Sequence, residues 1–284
     1  MATTPTRRKR RLGLFLERLR IDAGLHLVDG AQLLRVKEPT MSRYETGQIR
    51  PGWAALQALL GLYQATPEQR EEAAQLWEDA GVRATRVVTP AGSSRAFRAF
   101  LRAEAEADTE RMLTPLALPG LLQTAAYARA LNVSGRQFHT SDRTERYVTA
   151  RMSRKARLTE SSPLKLHALI DEAVIRRVVG DASVMIEQLN DLLDMDERDN
   201  VAIQVVPYSV GSYGTMSGAF YIVGYAGDDP PAVYLEHAAG GVWVENESDV
   251  ERFGALFDEM ADLALTSADS RILIADEVRD LEKS

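Results

Sequence analysis

The sequence predicts an α+β protein, an all-α head followed by a mixed α/β body, and three observations point there. The first 55 residues carry 11 Lys+Arg against 5 Asp+Glu, hence +6; with −7 for the whole 284-residue chain, the remainder holds −13. A segment rich in Thr, Pro, Gly and Ser, 84–94, separates a stretch of purely helical periodicity from one in which helical patterns alternate with β-branched and aromatic runs. The length itself suits about two folding units. The boundaries that follow are a basic arm over 1–11, a helical domain over 12–83, a linker over 84–94 and an α/β domain over 95–284.

Within the head, Leu12, Phe15, Leu16 and Leu19 recur at helical spacing, giving a first helix over Arg11–Asp22 that Ala23-Gly24 stops. A second short helix spans Leu27–Leu34, Arg35-Val36-Lys37 forms a tight turn, and a third helix spans Glu38–Glu45, closed by Thr46-Gly47. Pro51-Gly52 breaks the chain before a fourth helix over Trp53–Tyr63, and Thr66-Pro67-Glu68-Gln69 opens a fifth with a capping-box pattern, running to about Ala80.

In the body, helices are expected near Arg95–Asp108, Thr124–Leu131, Asp142–Leu158 and Ser183–Leu193. Strands are expected near Met112–Leu118, Leu164–Ile170, Val201–Val206, Ala219–Ala226, Ala232–Glu236 and Gly241–Glu245. Ser248-Asp249-Val250-Glu251 reads as a second capping box launching a helix to about Leu265, and a last helix covers about Ala268–Leu281.

Composition narrows the function. With no cysteine, thiol nucleophiles, disulfides and thiolate metal sites are excluded, and a reducing cytoplasmic setting fits. The apolar run Leu12–Leu16 is too short for a signal peptide, and no stretch is long enough to cross a membrane. Four scattered histidines (His26, His139, His167, His237) form no His-Glu-x-x-His, and there is no Gly-x-Ser-x-Gly elbow. Gly211–Gly218 lacks the Gly-Lys-Ser/Thr of a phosphate loop and reads as a mobile loop between strands, and Asp194-Met195-Asp196 lacks a calcium loop's other ligands and reads as a solvated helix end. No enzyme, catalytic residue, metal or cofactor is expected.

A short basic head on an acidic body suits contact with a polyanion. Two short helices joined by a three-residue turn set the second one proud of the surface, where it fits a major groove. Ala31 is the small residue where these helices cross, and Val36, Met41 and Tyr44 face inward. Lys37, Glu38, Thr40 and Arg43 then point outward: Arg43 suits guanine O6/N7, Glu38 can accept from cytosine N4, and Thr40 can bond a base or touch a thymine methyl. Ser42 and Arg50 are better placed for phosphates. The arm Arg7-Arg8-Lys9-Arg10-Arg11 either enters a minor groove or tracks phosphates as a disordered segment, or is a solvated tail.

Ala23-Gly24-Leu25, Ser42-Arg43-Tyr44-Glu45-Thr46-Gly47 and Arg50-Pro51 together resemble the Xre (Cro/C1-type) helix-turn-helix family. Arg35 stands where that family often has a turn glycine, Lys37 where it often has a capping Ser or Thr, and Leu27 where it has a polar phosphate ligand. Loss of the cap should cost helix 3 about 1 kcal/mol and leave its start irregular. The resemblance also implies that Arg20 and Glu45 pair across the bundle, fixing the angle of the recognition helix; the alternative is that Arg20 is another phosphate contact.

The body carries Leu118-Pro119-Gly120-Leu121-Leu122-Gln123-Thr124 with Tyr127-Ala128, then Arg151-Met152-Ser153-Arg154, Ile170-Asp171-Glu172-Ala173 with Arg176, Gln188-Leu189, Val205-Val206-Pro207-Tyr208 and Tyr234-Leu235-Glu236. These are similar to the C-terminal domain of Scr1-type antitoxin-like regulators of high-GC Gram-positive bacteria, and the two resemblances span about Leu12 to Ile274. They imply a regulator of double-stranded DNA, often beside a small partner protein from a neighbouring gene. Asp171, Glu172 and Glu236 lie near strand ends and Gln123, Tyr127 and Arg151 belong to the motifs. They form either a ligand pocket or partner surface, or, for Glu172 and Arg151, a structural ion pair.

The leading expectation is a transcriptional regulator acting as a homodimer on a palindromic operator, its body sensing a small protein or ligand. The alternative is an antitoxin-like interaction protein whose DNA binding serves autoregulation.

Overall fold

The computed structural model describes residues 7–81, 95–134, 141–214, 216, 218–226, 229–237 and 240–283. The chain divides into two compact units at residue 86. The expected linker and residues 1–6 of the arm lie outside the described residues.

The first unit is five helices: α1 (Arg7–Asp22), α2 (Leu27–Leu34), α3 (Glu38–Glu45), α4 (Trp53–Leu62) and α5 (Pro67–Asp79). Their apolar stripes converge on Leu12, Leu16, Met41, Leu56, Leu59 and Leu60, each at most 1% exposed. At roughly 1.5–3 kcal/mol per buried side chain of this size, these carry the head. Gly13 brings α1 onto the end of α3, since a Cβ there would lie 2.2 Å from the Glu45 carbonyl oxygen. Thr66 caps α5, its side chain accepting from Gln69 N–H while the Gln69 side chain accepts from Thr66 N–H at 2.9 Å.

The expected disordered arm is a correction: over the described residues α1 begins at Arg7, so Arg7–Arg11 are helical. A run of five cations gives no apolar periodicity, which is why the helix reads from the sequence as starting at Arg11. The extended α1 packs against the end of α3: Gly47, at φ +68, lies so close that a Cβ on it would be 2.5 Å from Arg10 Cα.

The turn between α2 and α3 is closed by a left-handed residue. Arg35 sits at φ 53, ψ 41, and the N–H groups of Arg35 and Val36 bond the carbonyls of Gln32 (3.2 Å) and Ala31 (3.0 Å). A side chain in this conformation costs about 1 kcal/mol relative to glycine. Arg35→Gly should therefore raise the head's stability by up to about 1 kcal/mol; a lower melting temperature in thermal melts of the full chain would contradict this.

The second unit is built on a six-stranded mixed sheet of order β3-β2-β1-β4-β5-β6, from β1 (Thr109–Thr114), β2 (Lys165–Asp171), β3 (Val201–Val206), β4 (Phe220–Gly224), β5 (Ala232–His237) and β6 (Gly240–Val244). β1, β2 and β3 are parallel, and β4, β5 and β6 continue antiparallel from β1. Alternation along each strand makes two cores. Met112, Leu166, Ala168, Ile170, Ile203, Tyr221, Val223 and Tyr234 face one side, packed with α6 (Arg95–Glu106), α7 (Ala125–Ser134), α10 (Ala182–Asp196) and α12 (Ser267–Lys283). Leu113, Leu169, Phe220, Ile222 and Val233 face the other, under Val250, Phe257 and Met260 of α11 (Glu247–Leu263). α8 (Ser141–Lys155) runs into a 3-10 turn over Ala156–Leu158, and the short α9 (Glu172–Arg176) follows β2.

Three further expectations are corrected here. The strand expected over Met112–Leu118 lies at Thr109–Thr114, because Pro115 has no N–H to continue the ladder. The capping box at Ser248 is not a cap: Asn246 is the N-cap, Asp249 N–H bonds the Asn246 carbonyl at 3.1 Å, and Ser248 Oγ donates to Asn246 Oδ1 at 2.7 Å. Asp196 is not a solvated helix end, since its carboxylate is 8% exposed, accepts from Ile203 N–H at 3.0 Å and faces Arg271 at 3.6 Å.

Candidate nucleic-acid interface

α2 starts with the Asp29 carboxylate accepting from the His26 N–H at 2.7 Å. α3 has no side-chain cap at Lys37, yet it starts regularly at Glu38, because Pro39 in its first turn presets the helical φ and lacks only an N–H that would be unpaired anyway. The expected irregular start is thereby corrected. Met41 is fully buried under α3, and Gly30 of α2 makes room for it: a Cβ there would be 2.7 Å from Met41 Cε.

The outward positions of α3 are as the periodicity places them: Lys37, Glu38 and Arg43 are exposed and Thr40 and Ser42 half-buried. Arg20 Nε and Nη2 donate to Glu45 Oε1 and Oε2 at 2.8 and 2.9 Å, and Nη1 donates to the Leu25 carbonyl at 2.8 Å. The two side chains are only 11% and 5% exposed, so this fork clamps the end of α3 to α1 and to the α1–α2 turn. Burial, reinforced by the Glu45 charge, pushes the nearby Tyr63 hydroxyl up to about 12.

Arg50, expected on a phosphate, is engaged within the head. Its guanidinium lies 3.9 Å over the Trp77 ring and donates to the Trp77 carbonyl at 3.1 Å, while Trp77 Nε1 donates to the Pro51 carbonyl at 2.8 Å. Arg50 therefore fastens α5 to the α3–α4 connection. On α1, Arg8, Lys9 and Arg10 are half-buried and Arg11 exposed; α1 has no acid in its first turn. Cations at the positive end of a helix dipole are electrostatically unfavourable unless an anion joins them.

The five body candidates do not share a pocket. Gln123 and Tyr127 are 2% and 1% exposed. Gln123 Nε2 donates to the Leu118 carbonyl and Gln188 Nε2 to the Leu122 carbonyl, both at 2.8 Å; Thr124 N–H donates to Gln188 Oε1 at 2.7 Å and Leu118 N–H to the Tyr127 hydroxyl at 3.4 Å. The Pro-Gly-Leu-Leu-Gln-Thr motif is thus a stitched turn. The ion pair weighed for Glu172 and Arg151 is also corrected. Glu172 pairs with Arg176 at 2.7 Å and accepts from Tyr208 N–H at 2.8 Å, whereas Arg151 bonds the Tyr147 hydroxyl and abuts Gly120. Glu236, exposed on β5, accepts from the Tyr221 hydroxyl at 3.2 Å, three strands away from Glu172 at the end of β2. A groove of about 420 Å³ over the starts of β1, β2 and β3, lined by Arg111, Lys165, His167 and Asn200 among others, touches none of the five.

One buried charge cluster has no local sequence signal. Arg154 of α8 forks onto Glu104 of α6 at 2.7 and 2.5 Å, with side chains 9% and 2% exposed. Beside them Glu110 of β1 is fully buried, both its oxygens without a hydrogen-bond partner. Burial, then the Glu104 charge, holds its carboxyl well above the usual carboxylate range, with Arg154 opposing.

Two short helices joined by an αL turn, the second clamped and polar-faced, define a helix-turn-helix domain, and residues 11–73 match the family model described as a helix-turn-helix domain. Residues 97–276 match a second model, that of a domain of unknown function (DUF5753), and as this covers more than half of the chain, the chain belongs to that family. No curated protein and no solved structure matches it. No helix among the described residues is long and apolar enough to cross a membrane.

Proposed function

We propose that the protein is a sequence-specific, DNA-binding transcriptional regulator, not an enzyme, acting as a dimer on a palindromic operator while its C-terminal domain responds to a small partner protein or ligand. The observation that carries the reading is α3: an exposed Lys37, Glu38 and Arg43 on a helix held at a fixed angle by the buried Arg20–Glu45 fork. Arg8–Arg11 at the positive end of α1 add phosphate-binding charge beside it. The resemblance of the head to Xre-type modules and of the body to antitoxin-like regulators supports the same reading.

Arg43 is the best-placed base reader, and Arg8 and Arg11 are sequence-blind phosphate contacts. Arg43→Ala is expected to lose roughly 1–3 kcal/mol of discrimination at one base position, and Arg11→Ala to weaken all duplexes alike. Competition binding on a selected operator and on random DNA checks this. Equal losses on both for Arg43→Ala would take Arg43 off the base edges.

A further inference from the structure

The two edges of the sheet are treated differently. At β3 the outward N–H groups of Ile203 and Val205 are taken by Asp196 Oδ1 (3.0 Å) and Ser270 Oγ (2.9 Å), and the Val205 carbonyl accepts from Leu265 N–H (2.9 Å). Side chains and a loop therefore plug that edge against further strands. At the opposite end β6 is the last strand among the described residues, and its residues Gly240-Gly241-Val242-Trp243-Val244 include no charge and no proline. Such an edge lacks the usual protection against pairing.

The hydrogen-bond phase of β6 follows from its neighbours. Glu236 N–H bonds the Ala219 carbonyl at 3.3 Å, so Tyr234 and Glu236 turn their backbone groups to β4, while Val233 and Leu235 turn theirs to β6. Their partners on β6 are Val244 and Val242, which leaves the N–H and C=O of Gly241 and Trp243 on the outer edge. By alternation Val242 shares the sheet face of Val244, which packs on the α11 core, yet Val242 is 49% exposed.

From this phase we propose that β6 is the dimerisation edge, pairing antiparallel with β6 of a second copy about a two-fold axis through Val242. In that register Gly241 faces Trp243 of the second copy and Trp243 faces its Gly241, so all outward groups of both strands close into four hydrogen bonds. Val242 meets its own copy as the non-hydrogen-bonded pair, where Cα atoms approach to about 4.5 Å, covering the exposed side chain. The glycine opposite each Trp243 brings no side chain to clash. A second copy is the occupant because the strand complements itself and because two bodies of like net charge meet with least repulsion along an uncharged strand. The six-stranded sheets of two bodies become one. The proposal rests on the operator reading for its purpose, supplying the two-fold that paired heads require, but its test contains no DNA, so either idea can fail alone.

The chain has no cysteine, so Val242→Cys and Val244→Cys each install a sole thiol in the full-length protein. Under mild oxidation Val242→Cys is expected to form a covalent dimer. Val244→Cys should not, because its copies would sit roughly 13 Å apart, beyond disulfide reach of about 7 Å. Val242→Lys places two ammonium groups across the axis without altering the bonds to β5. Sedimentation should show it monomeric at concentrations where the unmodified protein is dimeric, with an unchanged circular dichroism spectrum. Crosslinking no faster for Val242→Cys than for Val244→Cys, a dimer that survives Val242→Lys, or an unmodified protein that stays monomeric would each overturn the proposal.

Discussion

Arg154→Met should unfold the body or come close to it, costing about 3–5 kcal/mol, because it removes the guanidinium bonded to both oxygens of the buried Glu104 carboxylate and leaves that charge without this partner. Its loss also removes the charge that opposes the upward shift of the neighbouring Glu110, so that carboxyl is pushed higher still. Glu110 also sets a pH dependence. Its carboxyl is raised in the folded state, so below the ordinary carboxylate range both states are protonated and it has no effect. As pH rises above about 4.5 the unfolded chain ionises and the folded one does not, and stability falls by about 1.4 kcal/mol per pH unit until the folded group itself titrates. Glu110→Gln should therefore melt higher than the unmodified protein at pH 7 and show little gain at pH 4. Thermal melts across that range read both. An Arg154→Met protein of unchanged melting temperature, or a Glu110→Gln gain larger at pH 4 than at pH 7, would contradict this account of the cluster.

The second large effect is in the head. Glu45→Ala leaves the Arg20 guanidinium 11% exposed with one carbonyl partner, and the expected cost is about 3–5 kcal/mol in the head's stability. DNA affinity should fall as well, since α3 loses the fork that sets its angle to α1. The structure thus gives Arg20 a positional role rather than one on a phosphate. Glu45→Gln, which keeps one hydrogen bond, should fall between the two. A Glu45→Ala protein with unchanged melting temperature and unchanged DNA affinity would show that the fork does not position the helix.

Punctuation made the head legible. α2 and α3 have the expected bounds because Gly24 and Thr46-Gly47 punctuate the chain locally, while Pro39 fixes the first turn of α3 and leaves Arg35-Val36-Lys37 as the connection. The start of α1 was not legible, because its first turn is a run of cations with no apolar periodicity, and the segment it packs beside, at Gly47, lies far along the chain. In the body, β-branched runs marked the strands, but their order was not written locally: β1 lies between β2 and β4, and Pro115 alone signalled its early end. The scatter of the body candidates was hidden for a related reason. Gln123 and Tyr127 look like polar residues available to a ligand, whereas burial turns them into the bonds of a turn. Glu104, Glu110 and Arg154 escaped notice because Glu104 and Arg154 meet across 50 residues of sequence, and only the period-2 phase of β1, which puts Glu110 on the Met112 face, hinted that a carboxylate was inside.

On the proposed function the basic head reads DNA through α3 and contacts phosphates through its Lys and Arg side chains. The direct measurement is affinity for a duplex selected from random sequence by the full-length protein, as a function of salt. Several Lys and Arg contacts predict a recovered palindrome whose affinity falls at least about tenfold between roughly 50 and 200 mM salt. Selection that enriches no sequence, or binding that is indifferent to salt, would contradict it.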